Sequence, residues 1–178
     1  MMAVQPGFTV WLTGLPASGK TTLARALCQR LEAQGLTAQL LDSDELRQKL
    51  TPQPTYSATE RDWFYEMIVF LAELLTQNGV NVVIAATASR RAYRQAARAC
   101  LPHFVEVHVT CPVTVCKARD PKRLWQKAAA GQIVTLPGVG VHYQPPLWPE
   151  LSVNTAEQSV ETAVDHIYHY LQERFGLL

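Results

Sequence analysis

The chain has 178 residues, 48% apolar and 17% charged, which is the length of one domain and enough apolar mass for one core, so global disorder is excluded. Sixteen lysines and arginines against fifteen aspartates and glutamates leave a net charge of +1. With no global attraction for nucleic acid or anionic lipid, any anion site has to be built locally.

Phe8 to Thr13 is a short β-branched and aromatic run ending at Gly14, the composition of a strand feeding a tight loop. From Thr21, Leu23, Ala24, Leu27 and Leu31 recur at helical spacing until Gly35, and Ala38 to Leu41 reads as a second buried strand. Glu45 to Leu50 reads as a short helix that Pro52 and Pro54 end. Ser57 and Glu60 resemble a capping box heading a helix to Gln77, on which Trp63, Met67, Phe70, Leu71, Leu74 and Leu75 recur at threes and fours. Trp63, Phe64 and Tyr65 are consecutive and point in different directions, so one can face a crevice while another packs inside.

Val80 to Ala86 is a near-continuous apolar run, as in a strand covered on both faces of a parallel sheet. A helix is expected through Arg90 to Cys100, where Arg90, Arg91, Arg94 and Arg98 form a basic stripe expected to be solvated rather than bound to nucleic acid. Phe104 to Val109 is the next strand, followed by a helix from about Pro112 to Arg119. Asp120 to Gln144, basic at its start and carrying Gly131, Pro137, Gly138 and Gly140, reads as a mobile lid. Leu151 to Asn154 is a fifth strand, and Ala156 to Phe175 a terminal helix with Val160, Ala163, Val164, Ile167 and Leu171 on one face. The β-α alternation predicts an α/β fold with a mainly parallel five-stranded sheet, in one domain spanning 1–178 with its lid at about 120–144.

Four irregularly spaced cysteines and five scattered histidines suggest neither a disulfide framework nor a zinc site. No run approaches a membrane span, and Met1 to Gly7 lacks the layout of a signal peptide, so a soluble, cytoplasmic protein is expected.

Gly14, Leu15, Pro16, Ala17, Ser18, Gly19, Lys20 and Thr21 satisfy GxxxxGK[ST] between an expected strand and an expected helix, the context this motif requires. The glycines let backbone N–H groups turn inward, and the helix start adds its dipole, which makes an anion nest. Lys20 would reach the β- and γ-phosphates of ATP, and the Thr21 hydroxyl would hold Mg²⁺. Asp42 and Asp44 stand at the carboxyl end of the second strand, where α/β sheets bind ligands. Phosphoryl transfer needs a carboxylate to orient or deprotonate the accepting hydroxyl, and Asp44 is the candidate. Arg47, one helical turn on, could hold an anionic acceptor, whereas the bland reading has Asp42 capping the next helix.

The phosphate loop with Thr22, the stretch Asp42-Ser-Asp-Glu-Leu-Arg47, and Arg119-Asp-Pro-Lys122 together resemble the adenylyl-sulfate kinase family. Collinear matches at Gly131-Gln-Ile133, Pro137-Gly-Val139, Tyr143, Pro145-Pro146 and the final Leu-x-Val-x-Thr155 extend the likeness over most of the chain. The resemblance implies a three-layer α/β/α P-loop kinase fold, ATP and Mg²⁺ as cofactors, a homodimer, and transfer of the γ-phosphate to the ribose 3′-hydroxyl of adenylyl sulfate. Carried onto this chain it makes Asp44 the catalytic, metal-associated carboxylate, Arg119 an ATP-binding residue, and Asp42, Arg47, Arg61 and Lys122 acceptor-binding residues. Tyr56 and Leu136 become the two walls around the acceptor's adenine.

The family pattern Glu-Asn-Ile-Arg-Arg is here Trp63-Phe64-Tyr65-Glu66-Met67, and Ile-Ser-Pro is Thr87-Ala88-Ser89. The asparagine, both arginines and the serine are therefore absent. These departures spare the phosphate-transfer machinery and cluster where the acceptor binds, which leaves open the same chemistry on another small acceptor. A nucleotide-binding module without turnover is the reading from another class, against which the retention of Lys20, Thr21, Asp44 and Arg119 argues.

Overall fold

The computed structural model describes residues 5–177. Five strands, β1 (Thr9–Thr13), β2 (Ala38–Asp42), β3 (Asn81–Ala85), β4 (Phe104–Thr110) and β5 (Leu151–Asn154), form one sheet in the order β2-β3-β1-β4-β5. Every neighbouring pair is parallel. Strands are added on one side of β1 and then on the other, so the order reverses at β1, and its carboxyl end is where such sheets open a crevice.

Among the described residues there are seven helices: α1 (Lys20–Ala33), α2 (Ser43–Leu50), α3 (Ala58–Gln77), α4 (Arg91–Cys100), α5 (Val113–Arg119), α6 (Leu124–Ala129) and α7 (Val160–Phe175). Because side chains alternate along a strand, Val10 and Leu12 pack with Val83, Val105 and Val107 under α1 and α7, which contribute Leu23, Leu27, Ile167 and Leu171. Trp11, Val82, Ile84 and Phe104 point to the other face, against Phe64, Ile68 and Ala72 of α3 and Tyr93 and Ala97 of α4. Among the described residues no helix is long and apolar enough to cross a membrane.

The structure corrects several local expectations. α3 buries Phe64, Tyr65, Ile68, Ala72 and Thr76, whereas Trp63, Phe70 and Leu74 are exposed to 42%, 55% and 49%. The helix is apolar on more than one side, and spacing alone does not say which stripe meets the sheet. Arg94, expected in a solvated stripe, is 2% exposed, with Nε donating to Glu106 at 2.6 Å. Glu106 lies on the α4-facing side of β4, and a buried carboxylate there demands a paired cation. Arg90 and Arg98 likewise meet Asp62 at 3.3 Å and Glu150 at 2.5 Å, so the stripe's charge is largely matched within the fold. α7 starts at Val160 behind its Ser159 cap, four residues later than the pattern suggested, and Val160 itself is exposed.

The segment expected as a lid carries its own helix, α6, and packs Trp125, Ala128 and Leu136 in a small core with Cys116 of α5. Trp125 anchors it to the phosphate loop by donating Nε1–H to Pro16 O at 3.1 Å. The other end of the lid is tied to the segment after β3, where Gln144 N donates to Ser89 O at 2.8 Å and Arg94 Nη2 to Gln144 O at 2.7 Å.

Candidate active site

The loop from Gly14 to Gly19 leaves the carboxyl end of β1 and enters α1 at Lys20. A side chain at Gly14 would drive its Cβ to 2.3 Å from Val109 O, and Gly19 sits at φ +100°, so both glycines are required by space or by backbone conformation. Ala17, at φ 63°, takes the same left-handed region without being glycine, and such outliers concentrate in ligand-clamping loops. Lys20 is 9% exposed and its Nζ donates to Gly14 O at 3.0 Å and Leu15 O at 2.8 Å.

Desolvation pushes the Lys20 ammonium down to about 8, against the opposing attraction of Asp44 and Asp42. The charged form, which ATP phosphates need, therefore dominates the unliganded protein only below about pH 8. The value of kcat/KM for ATP is expected to fall as pH rises through that point, and a profile flat to pH 10 would contradict it. Between about pH 8 and 10.5 the unfolded chain holds a proton that the folded one has released, so this group makes the unliganded fold more stable as pH rises through that window.

Asp42, the last residue of β2, is buried and works in two directions at once. Its Oδ1 accepts from Asp44 N at 2.8 Å, capping α2 as the bland reading expected, and its Oδ2 accepts from Thr21 Oγ1 at 2.6 Å. The carboxylate thus joins the start of α2 to the Thr21 hydroxyl of the phosphate-loop motif, rather than standing with the acceptor-side cations. Asp44, the second residue of α2, is exposed and paired with Lys122 of the lid. A hydroxyl and two carboxylates beside a phosphate nest form the sparse, all-oxygen donor set that suits Mg²⁺, an ion that retains waters and takes its remaining ligands from phosphates. Among the described residues no cluster of three or more metal-ligating side chains exists, so no metal cage independent of phosphates is built.

Across the crevice, α2 and α3 bring Arg47, Arg61 and Tyr56 together. Arg47 Nη1 donates to Glu60 Oε1 at 2.8 Å, and its guanidinium lies 3.8 Å from the Phe64 ring centroid and 4.9 Å from that of Tyr56. Arg61 donates from Nε to Tyr56 O at 3.0 Å and from Nη2 to Thr135 O in the lid at 2.7 Å. Ser57 caps α3 by accepting Glu60 N at 3.2 Å, but the Glu60 carboxylate reaches past it to Thr55 N at 2.5 Å and Tyr56 N at 3.3 Å. Desolvation raises the Glu60 carboxyl, and the hydrogen bonds from Thr55 and Tyr56 with the Arg47 charge overcome this and hold it below its ordinary value. Glu60 therefore stays ionised and fixes the Arg47 fork, a role the sequence pattern did not reveal beyond the cap.

Arg119 closes α5 and grips Thr155, with Nη1 on its hydroxyl at 2.9 Å and Nη2 on its carbonyl at 2.6 Å, while the Thr155 hydroxyl donates to Ser18 O at 2.8 Å. Thr155 is thus the link between Arg119 and the phosphate loop, visible in sequence only as the end of a weak collinear match. Leu136 is placed differently from an open adenine wall: it is 5% exposed and packs inside the lid core beside Cys116 and Trp125. Thr22 follows Thr21 on α1 and is exposed.

A parallel sheet with helices on both faces, a phosphate nest at its reversal point, and a carboxylate, Asp44, paired with Lys122 of the segment after α5 together define a P-loop kinase. The model of the adenylylsulphate kinase family matches residues 6–154. Over 166 residues the chain is 42% identical to the adenylyl-sulfate kinase of Synechococcus sp. (strain JA-3-3Ab), a match covering 93% of this chain and 94% of that one. Among solved structures it is similar to the APS kinase of Mycobacterium tuberculosis in complex with AMPPNP and APS, with a TM-score of 0.89 and 31% identity over 94% of this chain and 98% of that one. A hexameric APS kinase from Thiobacillus denitrificans matches with a TM-score of 0.72 and 29% identity, covering 99% of this chain and 31% of that one. The chain belongs to the adenylyl-sulfate kinase family.

Proposed function

We propose that the protein transfers the γ-phosphate of ATP to the 3′-hydroxyl of adenylyl sulfate, giving 3′-phosphoadenylyl sulfate and ADP. The observation that carries this reading is the meeting of three groups at the carboxyl ends of β1 and β2: the Lys20 nest, the Thr21–Asp42 pair, and Asp44 with Lys122 of the lid. The loop N–H groups and Lys20 hold the ATP phosphates, Arg119 braces the nucleotide side through Thr155, and Thr21 with Asp42 and Asp44 would hold Mg²⁺. When bound, that ion neutralises charge on the phosphates. Asp44 orients and deprotonates the accepting hydroxyl, while Lys122 brings the lid's positive charge to the transferring group. Arg47 and Arg61 hold the acceptor's anionic end, and Tyr56 offers its ring to the adenine.

The test is ADP release by the purified protein with Mg·ATP, with and without adenylyl sulfate, together with detection of 3′-phosphoadenylyl sulfate. Acceptor-dependent release is expected. No stimulation, with ATP binding confirmed, favours a second reading in which another small hydroxyl compound is phosphorylated. The observation behind that reading is Glu66 and Met67 standing where the family pattern has arginines. Within the first reading, Tyr56→Ala is expected to raise the acceptor's KM several-fold and leave that of ATP nearly unchanged; the reverse pattern would remove the stacking role. A cytoplasmic homodimer completes the proposal, and sedimentation of the purified protein distinguishes it from a monomer or a hexamer.

A further inference from the structure

The aromatic triplet on α3 takes no part in phosphate transfer as described above. Trp63 points to solvent and Phe64 lies buried beneath Arg47. Tyr65 turns toward the sheet, stacks on Tyr93 with ring centroids 4.3 Å apart, and accepts the Ala88 N–H on its Oη at 3.0 Å. Ala88 lies just past β3 on the carboxyl edge of the sheet, at φ 41°, and its carbonyl accepts from Arg94 Nη1. This strained peptide is therefore gripped on both sides.

A phenol hydroxyl both accepts and donates. Here only the accepting half is used: among the described residues no acceptor takes the Tyr65 proton, although the side chain is buried. A buried donor without a partner is costly, and native structures leave few of them. Tyr65 stands one turn after Arg61 on the same buried face of α3, and Phe64, on which the Arg47 guanidinium lies, adjoins it with ring centroids 5.6 Å apart. Burial also raises its pKa, outweighing the Ala88 hydrogen bond and the two arginines, so the proton is retained at neutral pH.

We propose that Tyr65 is a substrate-binding residue of the acceptor site, whose hydroxyl, seated on the Ala88 N–H, donates its proton to the acceptor's anionic group between Arg47 and Arg61. The proposal rests on the acceptor reading above. It also gives one physical account of two departures in this chain. The hydroxyl that the family pattern carries at position 88 is absent from Ala88, and a tyrosine hydroxyl is brought to the same backbone from position 65, where the pattern has isoleucine. The tyrosine ring is held by its stacking on Tyr93.

The experiment is calorimetric titration of adenylyl sulfate into the protein saturated with Mg·ADP. It compares wild type, Tyr65→Phe, and protein carrying 3-fluorotyrosine at position 65, at a pH below neutrality where the phenol stays protonated. Tyr65→Phe keeps the aromatic packing and is expected to weaken adenylyl sulfate about 10-fold or more, with the KM of ATP essentially unchanged. Fluorination makes the hydroxyl a stronger donor and a weaker acceptor, so the fluorinated protein is expected to bind adenylyl sulfate more tightly than wild type. Equal or weaker binding by the fluorinated protein means that the hydroxyl serves only to hold Ala88, and overturns the proposal. Unchanged affinity in Tyr65→Phe overturns it as well. Absence of binding by wild type overturns the acceptor reading, and this proposal with it.

Discussion

Lys20→Ala is expected to lower ATP turnover by at least about 10²–10³-fold, the scale seen when one preorganised charge stabiliser is removed from a water-poor site, without lowering the melting temperature at neutral pH. The two halves of this expectation have the same cause. The ammonium is buried and its pKa is depressed from 10.5 to about 8, which corresponds to about 3 kcal/mol held against the charged form. That net cost stands although the ammonium donates to Gly14 O and Leu15 O. Removing the charge relieves the fold of an unfavourable burial while it strips the phosphates of their nearest cation. Kinetic assay and thermal denaturation of the same sample check both halves. Turnover near that of wild type would overturn the phosphate-loop assignment, and a large fall in melting temperature would show that Lys20 is a structural cation.

Which features could be read from sequence follows from how many solutions each pattern allows. The strands were legible because a parallel strand covered on both faces is apolar at every position, so Val82, Val83 and Ile84 need no choice of face. The phosphate loop was legible because its glycines answer to local sterics, such as the 2.3 Å approach a Cβ at Gly14 would make to Val109 O. α3 is apolar around much of its circumference, and its periodicity fits the Trp63–Phe70–Leu74 stripe and the Phe64–Ile68–Ala72 stripe alike. Only the sheet decides between them. α6 has six residues, too short for a periodic signal, and it is stabilised by contacts of Trp125 with the phosphate loop that no local pattern encodes. Arg94 was illegible for a related reason, since its partner Glu106 sits on another element and alternates inward from an otherwise apolar strand. At the site, the catalytic side carries motifs set by phosphate chemistry. The acceptor side depends on pairings such as Arg47 with Glu60 and Tyr65 with Ala88, which form only once α2, α3 and the end of β3 are brought together.

Asp44→Asn is expected to retain ATP affinity within a few-fold and to lose turnover by about 10²-fold or more, in the range assigned to general acid–base groups. Its position makes this separable from folding. The side chain is exposed, and the α2 cap depends on its backbone N–H donating to Asp42 Oδ1 at 2.8 Å, which an asparagine keeps. The carboxylate has two possible duties: to serve the accepting hydroxyl and metal, or to hold the lid through Lys122. A surface ion pair of this kind contributes at most about 1 kcal/mol, so loss of lid attachment alone accounts for no more than about a 5-fold effect. Lys122→Ala removes the same ion pair together with the positive charge brought to the transferring group, and leaves the carboxylate in place. If Asp44 acts chemically, Asp44→Asn loses far more kcat than the roughly 5-fold of a broken ion pair; if both variants lose no more than about 5-fold, Asp44 is a latch, and the base must be sought elsewhere. A double variant completes the cycle, because a shared lid function makes the two losses non-additive. A steep loss in Asp44→Asn, with ATP affinity retained, is the outcome that follows from a carboxylate placed two residues beyond Asp42, in the first turn of α2 at the carboxyl edge of the sheet.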